Sequence, residues 1–260
     1  MGETGAFTDL KEDLRQGATV GRYEVIKFIS GKKIMVFGII IAAILALVTF
    51  VLFYFGNEIT QEGVAATYVG FVQFMLMIGA TLFSSVTIVS EFSDRTALIL
   101  FTKPVSKRAI MFGKFAAAYI VNFVFLFVYY VITLIITQIY AGGIPVGIYA
   151  SLGYAALYLF AVSGIATFFS CLMKKPSSAS ILTFAFILLV PSIFASILYL
   201  INPAMDPAKD LWYILDYASL GTTASIYGTA ANALRDALVM IIWGLIPAVG
   251  GYYIFRHREL

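Results

Sequence analysis

Charge is scarce in this chain. Of its 260 residues only 12% are Asp, Glu, Lys or Arg, whereas 61% are hydrophobic and the mean hydropathy is +0.95. A water-soluble domain carries roughly a quarter of its residues as charges, so soluble, disordered and nucleic-acid-binding classes are excluded. Cysteine is limited to Cys171, which rules out an intramolecular disulfide and a multi-cysteine metal cluster. The one histidine, His257, lies near the C-terminal end of the sequence and leaves none for a buried catalytic or metal site. A formal charge of +3 is too small to mark a polyanion partner.

Long apolar runs are what the chain has instead. A charge at the middle of a spanning helix costs about 2.5–3.5 kcal/mol, and a span needs about 20 residues. Six runs qualify, at 34–56, 64–90, 115–140, 149–173, 179–201 and 237–255. None alternates with the period of a barrel strand. The expected fold is an all-α integral membrane protein with six transmembrane helices. The first run follows a charged stretch and precedes no small-residue cleavage site, so it reads as a retained span rather than a secretory signal. With the N-terminus inside, fifteen Lys and Arg fall in cytoplasmic segments and only Lys209 and Arg235 fall outside. The positive-inside rule then makes both termini cytoplasmic.

Between the spans, 1–19 reads as a cytoplasmic tail and 20–33 as an interfacial amphipathic helix. Its apolar arc is Tyr23, Val25, Ile26, Phe28 and Ile29, with Glu24 and Lys27 opposite. The spans occupy 34–255, and 256–260 forms a short cytoplasmic C-terminus. The outer segment from 202 to 236 carries semi-apolar pieces at 211–217 and 225–234, too short to cross, which are expected as half-inserted helices with Trp212, Tyr213 and Tyr217 at headgroup level.

The stretch 91–108, EFSDRTALILFTKPVSKR, opens polar, turns apolar through Ala97–Phe101 and stops at Pro104. Ser93 or Asp94 can cap a two-turn helix starting near Arg95. Such a helix must bury its apolar side against the membrane surface or in a groove on a partner. Glu91, Asp94, Arg95, Lys103, Lys107 and Arg108 would form its polar rim.

Residues 90–115 resemble the ATP-binding-cassette type-2 (ABC-2) transporter permeases. Glu91, Arg95, Thr96, Leu98, Leu100, Pro104, Ser106, Lys107, Arg108, Gly113 and Lys114 follow in the family's order, although Ala97 stands where the family often has glycine. The resemblance implies a coupling helix that docks into a separate ATP-binding subunit through Glu91, Asp94, Arg95, Thr96, Leu98, Leu100, Pro104, Lys107 and Arg108. Lys174 and Lys175 in the second inner loop would touch the same partner. It further implies pairing with a second copy or a homologous permease, location in the plasma membrane and export as the direction.

The phosphate-cradling loop GxxxxGK[ST] is missing: at the only Gly-Lys pairs, Gly31-Lys32 and Gly113-Lys114, the upstream glycine is replaced by Ile26 and Arg108. No cofactor is expected on this chain, with ATP and Mg on the partner ATPase, and the chain is not expected to be an enzyme. Ser163-Gly164 has neither the elbow glycine nor a histidine in any span, so Ala161, Ser163 and Gly164 read as small residues permitting close helix approach. Met75, Met77 and Cys171 make no plausible copper site. The spans carry no ionisable group well inside, since Lys114 and Asp236 sit at ends from which they can reach the interface, and this weighs against an ion-coupled carrier. Gln73, Asn122 and Tyr129 are candidates to line a pathway for an amphipathic or lipid-like substrate. Two alternatives stay open: a non-transporting scaffold whose loop helix binds another partner, and a secondary carrier.

Overall fold

The computed structural model describes residues 3–55, 60–93, 105–203, 210–230 and 232–257, and every regular element among them is a helix. In chain order these are α1 (Glu3–Ser30), α2 (Lys32–Phe55), α3 (Gln61–Gly70), α4 (Val72–Leu82), α5 (Val89–Ser93), α6 (Lys107–Ala141), α7 (Gly147–Leu172), α8 (Pro176–Ile201), α9 (Leu215–Ser219), α10 (Gly221–Ala224) and α11 (Ala233–His257). Six stretches are long and apolar enough to cross a membrane: Lys32–Tyr54, Gln61–Ser93, Lys107–Ala141, Gly147–Leu172, Pro176–Ile201 and Ala233–His257. The chain is a multi-pass membrane protein. The first half of α1 and the last turn of α11 meet the start of α6 at one end of the bundle, called the terminal end below, where Ser106 donates to Asp13 and Lys107 donates to the Arg256 carbonyl.

Local chemistry sets the helix ends. Ser106 caps α6, its hydroxyl accepting from Ala109 N–H at 3.0 Å. Gly142, at φ 68°, closes the same helix in the left-handed conformation that glycine adopts without strain. Pro176 opens α8 behind the extended Lys175.

The second span and α7 form the centre of the bundle, with 72% of the residues in the most apolar stretch of each buried, whereas in α2 and α8 the share is 22% and most of the apolar surface turns outward. α7 and α11 are the most extensively packed helix pair. Their crossing is set by Gly164 and Gly244, where a Cβ on Gly164 would overlap the Gly244 carbonyl. Small residues do allow close approach here, as expected of Gly164.

The second span is discontinuous. Between α4 and α5 the backbone tightens to a 3₁₀ turn at Ser84–Val86. Backbone N–H groups freed by such a break cannot find water inside hydrocarbon and need another acceptor. Ser170 of α7 supplies it, its hydroxyl accepting from Ile88 N–H at 3.0 Å and Val89 N–H at 3.1 Å.

Two expectations change. The N-terminal helix is not confined to 20–33 but begins at Glu3 and takes in most of the expected tail, because it has a packing face that its apolar arc does not reveal. Glu24 and Phe28 are buried, whereas Tyr23, Ile26 and Ile29 point outward, with Tyr23 69% exposed. The short helices before the last span are α9 and α10 over 215–224, rather than pieces at 211–217 and 225–234. Gly228 at φ 68° and the Thr229 N–H bond to the Ala224 carbonyl end the helical stretch there.

The glycine crossing gives a direct expectation. Gly164→Val should destabilise the protein by about 1–3 kcal/mol through overpacking, whereas Gly38→Ala, where nothing lies within 4 Å of an added Cβ, should be close to neutral. Thermal unfolding of the two variants in mild detergent checks the contrast.

Candidate functional site

Residues 94–104, carrying Asp94, Arg95, Thr96, Leu98, Leu100 and Pro104 of the expected coupling helix, lie outside the described residues. Its two flanks are described, and both are gripped at the terminal end of the bundle.

α6 is 35 residues long, about 52 Å at about 1.5 Å per residue, and outruns a hydrocarbon core of about 30 Å. α1 lies against its first turns. Gly17 and Gly21, one turn apart on α1, meet Ala109 and Gly113, one turn apart on α6. A Cβ on Gly113 would overlap the Gly17 carbonyl, and one on Gly21 would sit 3.0 Å from the Gly113 carbonyl. This approach brings the polar residues of the same α1 face onto α6. The Asp13 carboxylate accepts from the Ser106 hydroxyl at 2.6 Å, and the Gln16 side-chain oxygen accepts from Ser106 N–H at 3.2 Å. The cap of α6 is thus itself held by α1.

One turn beyond the glycines comes Glu24, and beside Gly113 comes Lys114. The Lys114 ammonium donates to Glu24 Oε2 and to Glu91 Oε1, both at 2.8 Å. Its side chain is only 3% exposed. Lys27, 53% exposed, adds a longer contact to Glu91 at 3.5 Å and one to Glu24 at 3.9 Å. The four side chains carry two positive and two negative charges. They join α1, α5 and α6 at the point where the chain leaves the second span for residues 94–104. Charge-assisted bonds of this length are about twice as strong as neutral ones. A buried ammonium is tolerated only because both carboxylates are in place.

Further flank contacts come from α11. Phe92 meets Phe255 edge-on at 6.2 Å between ring centroids, Lys107 donates to the Arg256 carbonyl at 3.0 Å, and Arg108 donates to the Tyr252 hydroxyl at 3.2 Å. Of the expected coupling residues that are described, Glu91 is bonded to α6 and α1, and Lys107 and Arg108 are bonded to α11. Lys174 and Lys175 stand exposed on the turn between α7 and α8 at the same end. Lys114 does not reach toward the interface as expected. α1 covers it, and its charge is neutralised inside the protein.

The three pathway candidates sit elsewhere and apart. Gln73 donates to the Ser219 carbonyl at 2.9 Å and to the Thr222 hydroxyl at 3.3 Å, tying the second span to α9 and α10. Tyr129 is fully buried and donates to the Tyr68 carbonyl at 2.9 Å. Asn122 is fully buried as well, its amide donating to the Ala118 carbonyl while its oxygen lies where a Cβ on Gly79 would be. All three are packed between helices of this one chain.

Residues 57–253 match the family model described as ABC-2 family transporter protein. The chain belongs to this family. A search of curated proteins finds no match. Within the ABC-2 match lie Glu91, Phe92, Ser106, Lys107, Arg108 and Lys114, whereas Asp13, Gln16, Glu24 and Lys27 of α1 precede it. The ion cluster therefore ties the matched region to the helix before it. Sequence reasoning missed the α1 partners, although Asp13, Gly17, Gly21 and Glu24 recur near three- and four-residue spacing, a stripe on one helix face.

Lys114→Met should be markedly destabilising, by about 3–5 kcal/mol, because Glu24 and Glu91 are left as neighbouring uncompensated anions. The triple variant Glu24→Gln, Lys114→Met, Glu91→Gln should recover most of that loss, since no buried charge then remains. Unfolding midpoints in detergent that placed the triple variant below the single one would contradict the cluster's neutralising role.

Proposed function

We propose that this chain, a transmembrane permease of the ABC type, works as the membrane subunit of an exporter driven by a separate ATP-binding subunit. That subunit docks at the terminal end, on residues 94–104 and on the turn bearing Lys174 and Lys175. In this reading the terminal end is cytoplasmic, in keeping with the fifteen Lys and Arg assigned inside, and the membrane is the plasma membrane. ATP and Mg belong to the partner. A second copy, or a homologous permease, completes the pathway, and the outward apolar faces of α2 and α8 are available for it or for lipid. The cargo is an amphipathic or lipid-like molecule.

The observation that carries the reading is the double grip on the flanks of 94–104. A loop that only rested on the membrane would need no such frame. A loop that transmits force needs both ends fixed to rigid elements. Glu91 is fixed to α6 and α1 through Lys114, and Ser106 to α1 through Asp13 and Gln16. Above Glu91 the second span is broken at Ser84–Val86, and a stretch of 3₁₀ geometry inside a helix is a common place for a hinge. Movement of the docked segment would then swing α5 and the start of α6 together, with α1 as the third member of the lever.

Co-purification from native membranes in mild detergent tests this. Wild type should bring down an ATP-binding-cassette subunit, and Leu98→Asp with Leu100→Asp should lose it while retaining the wild-type unfolding midpoint. Absence of any ATPase with the wild type, with or without nucleotide, would overturn the proposal and favour a scaffold or a carrier.

A further inference from the structure

At the end of the bundle opposite the termini, a cleft of about 470 Å³ lies between α8 and α9, lined by Ser192, Ala195, Ser196, Tyr199, Asp216 and Tyr217. The four α8 residues share one helix face, with spacings of three and four along the chain. Asp216 and Tyr217 face them from α9. The Asp216 carboxylate accepts one hydrogen bond, from the Ser192 hydroxyl at 3.3 Å, and no lysine or arginine among the described residues pairs with it. This is the reverse of the terminal end, where each carboxylate of the ion cluster faces an ammonium.

A carboxylate in such a place has a cost, which is visible in its acidity: burial pushes the Asp216 carboxyl above the usual carboxylate range, and the Ser192 bond offsets only part of this. What would relieve it is a cation. A metal ion fits poorly, because hard divalent cations are held chiefly by several carboxylate and carbonyl oxygens, and this cleft offers a single carboxylate beside the hydroxyls of Ser192, Ser196, Tyr199 and Tyr217. An alkylammonium fits well. It carries a diffuse positive charge, it gains from aromatic rings such as those of Tyr199 and Tyr217, and the cleft volume accommodates its substituents. Along the same α8 stripe, one turn before Ser192, lies Leu188, 42% exposed, with Leu189 beside it. The surface thus runs from an acid framed by tyrosines to bare hydrocarbon over one helical turn, the profile of an amphiphile's head and tail.

We infer that the cleft between α8 and α9 is a binding site for the alkylammonium head of an amphiphile, with Asp216 as counter-ion, Tyr199 and Tyr217 as flanking rings and the Leu188 stripe as tail support. The amphiphile is either a membrane lipid with an ammonium headgroup or a freely dispersed cationic amphiphile. The inference goes beyond the permease reading and does not rest on it, since neither ATPase nor transport enters the measurement.

Calorimetric titration of the purified chain in uncharged maltoside micelles tests it, with decyltrimethylammonium as the probe and decyl sulfate and tetramethylammonium as controls. Wild type should bind decyltrimethylammonium saturably and the tailless tetramethylammonium far more weakly, with no saturable binding of the sulfate. Asp216→Asn, which preserves shape, should weaken binding by about tenfold or more. Asp216→Glu, which restores the charge, should bind within a few fold of wild type, separating loss of charge from loss of fold. Adding phosphatidylethanolamine or phosphatidylglycerol distinguishes the sources: competition by the former alone points to a membrane lipid, and competition by neither to a dispersed amphiphile. Equal binding by wild type and Asp216→Asn, or equal uptake of decyl sulfate, would overturn the inference.

Discussion

The Lys114 ammonium sits out of water at the head of the longest helix, and much of the terminal end follows from neutralising it. A lone ammonium there would be prohibitively costly, so two carboxylates must converge on it from different elements, Glu24 from α1 and Glu91 from α5. That convergence is possible only because glycines let the α1 and α6 backbones come together. With a side chain at Gly113 the two axes would separate and Glu24 would lose its reach. Packing and electrostatics are therefore one device here. The glycine contact sets the distance, and the ion cluster makes departures from it expensive.

The same logic of satisfying polar groups internally governs the centre of the bundle. The break in the second span would leave two amide donors without partners, and Ser170 of α7 accepts both. Gln73 spends its amide on α9 and α10. Together with the Glu91–Lys114 pair near the terminal end, these bonds tie the discontinuous span to its neighbours at three levels. A discontinuous element so tethered keeps its backbone donors satisfied where hydrocarbon offers no water.

The two ends of the bundle differ in how they treat acids. At the terminal end, Glu24 and Glu91 are matched by Lys114 and Lys27, and at the opposite end Arg235 both pairs with Asp236 at 3.1 Å and lies 5.5 Å from the Trp212 ring centre. Asp216 has no basic partner among the described residues and is held by one serine hydroxyl in a cleft with two tyrosines. Matched charges stabilise a structure, and a charge left unmatched in a cleft is available to a ligand.

Composition, run length and the lack of strand alternation by themselves determined that this is a six-span helical membrane protein, because hydrocarbon admits only helices and closed barrels and the chain offers six long apolar runs with no barrel period. The loop pattern at 90–115 carried the family, since Glu91, Pro104 and Gly113-Lys114 are local in sequence. The length of α1, the burial of Lys114 and the pairing of Asp13 and Gln16 with Ser106 were decided only in three dimensions. Periodicity of apolar residues reports which face of a helix avoids water, and on α1 that face, with Tyr23, Ile26 and Ile29, points away from the protein. Apart from Phe28, which packs edge-on against Phe83, its packing face is built largely of glycines and polar groups, which have no apolar signature, and the partners of those polar groups lie about ninety residues away along the chain. Which acid meets which base at that separation depends on how two helices cross, and the crossing exists only once the chain has folded.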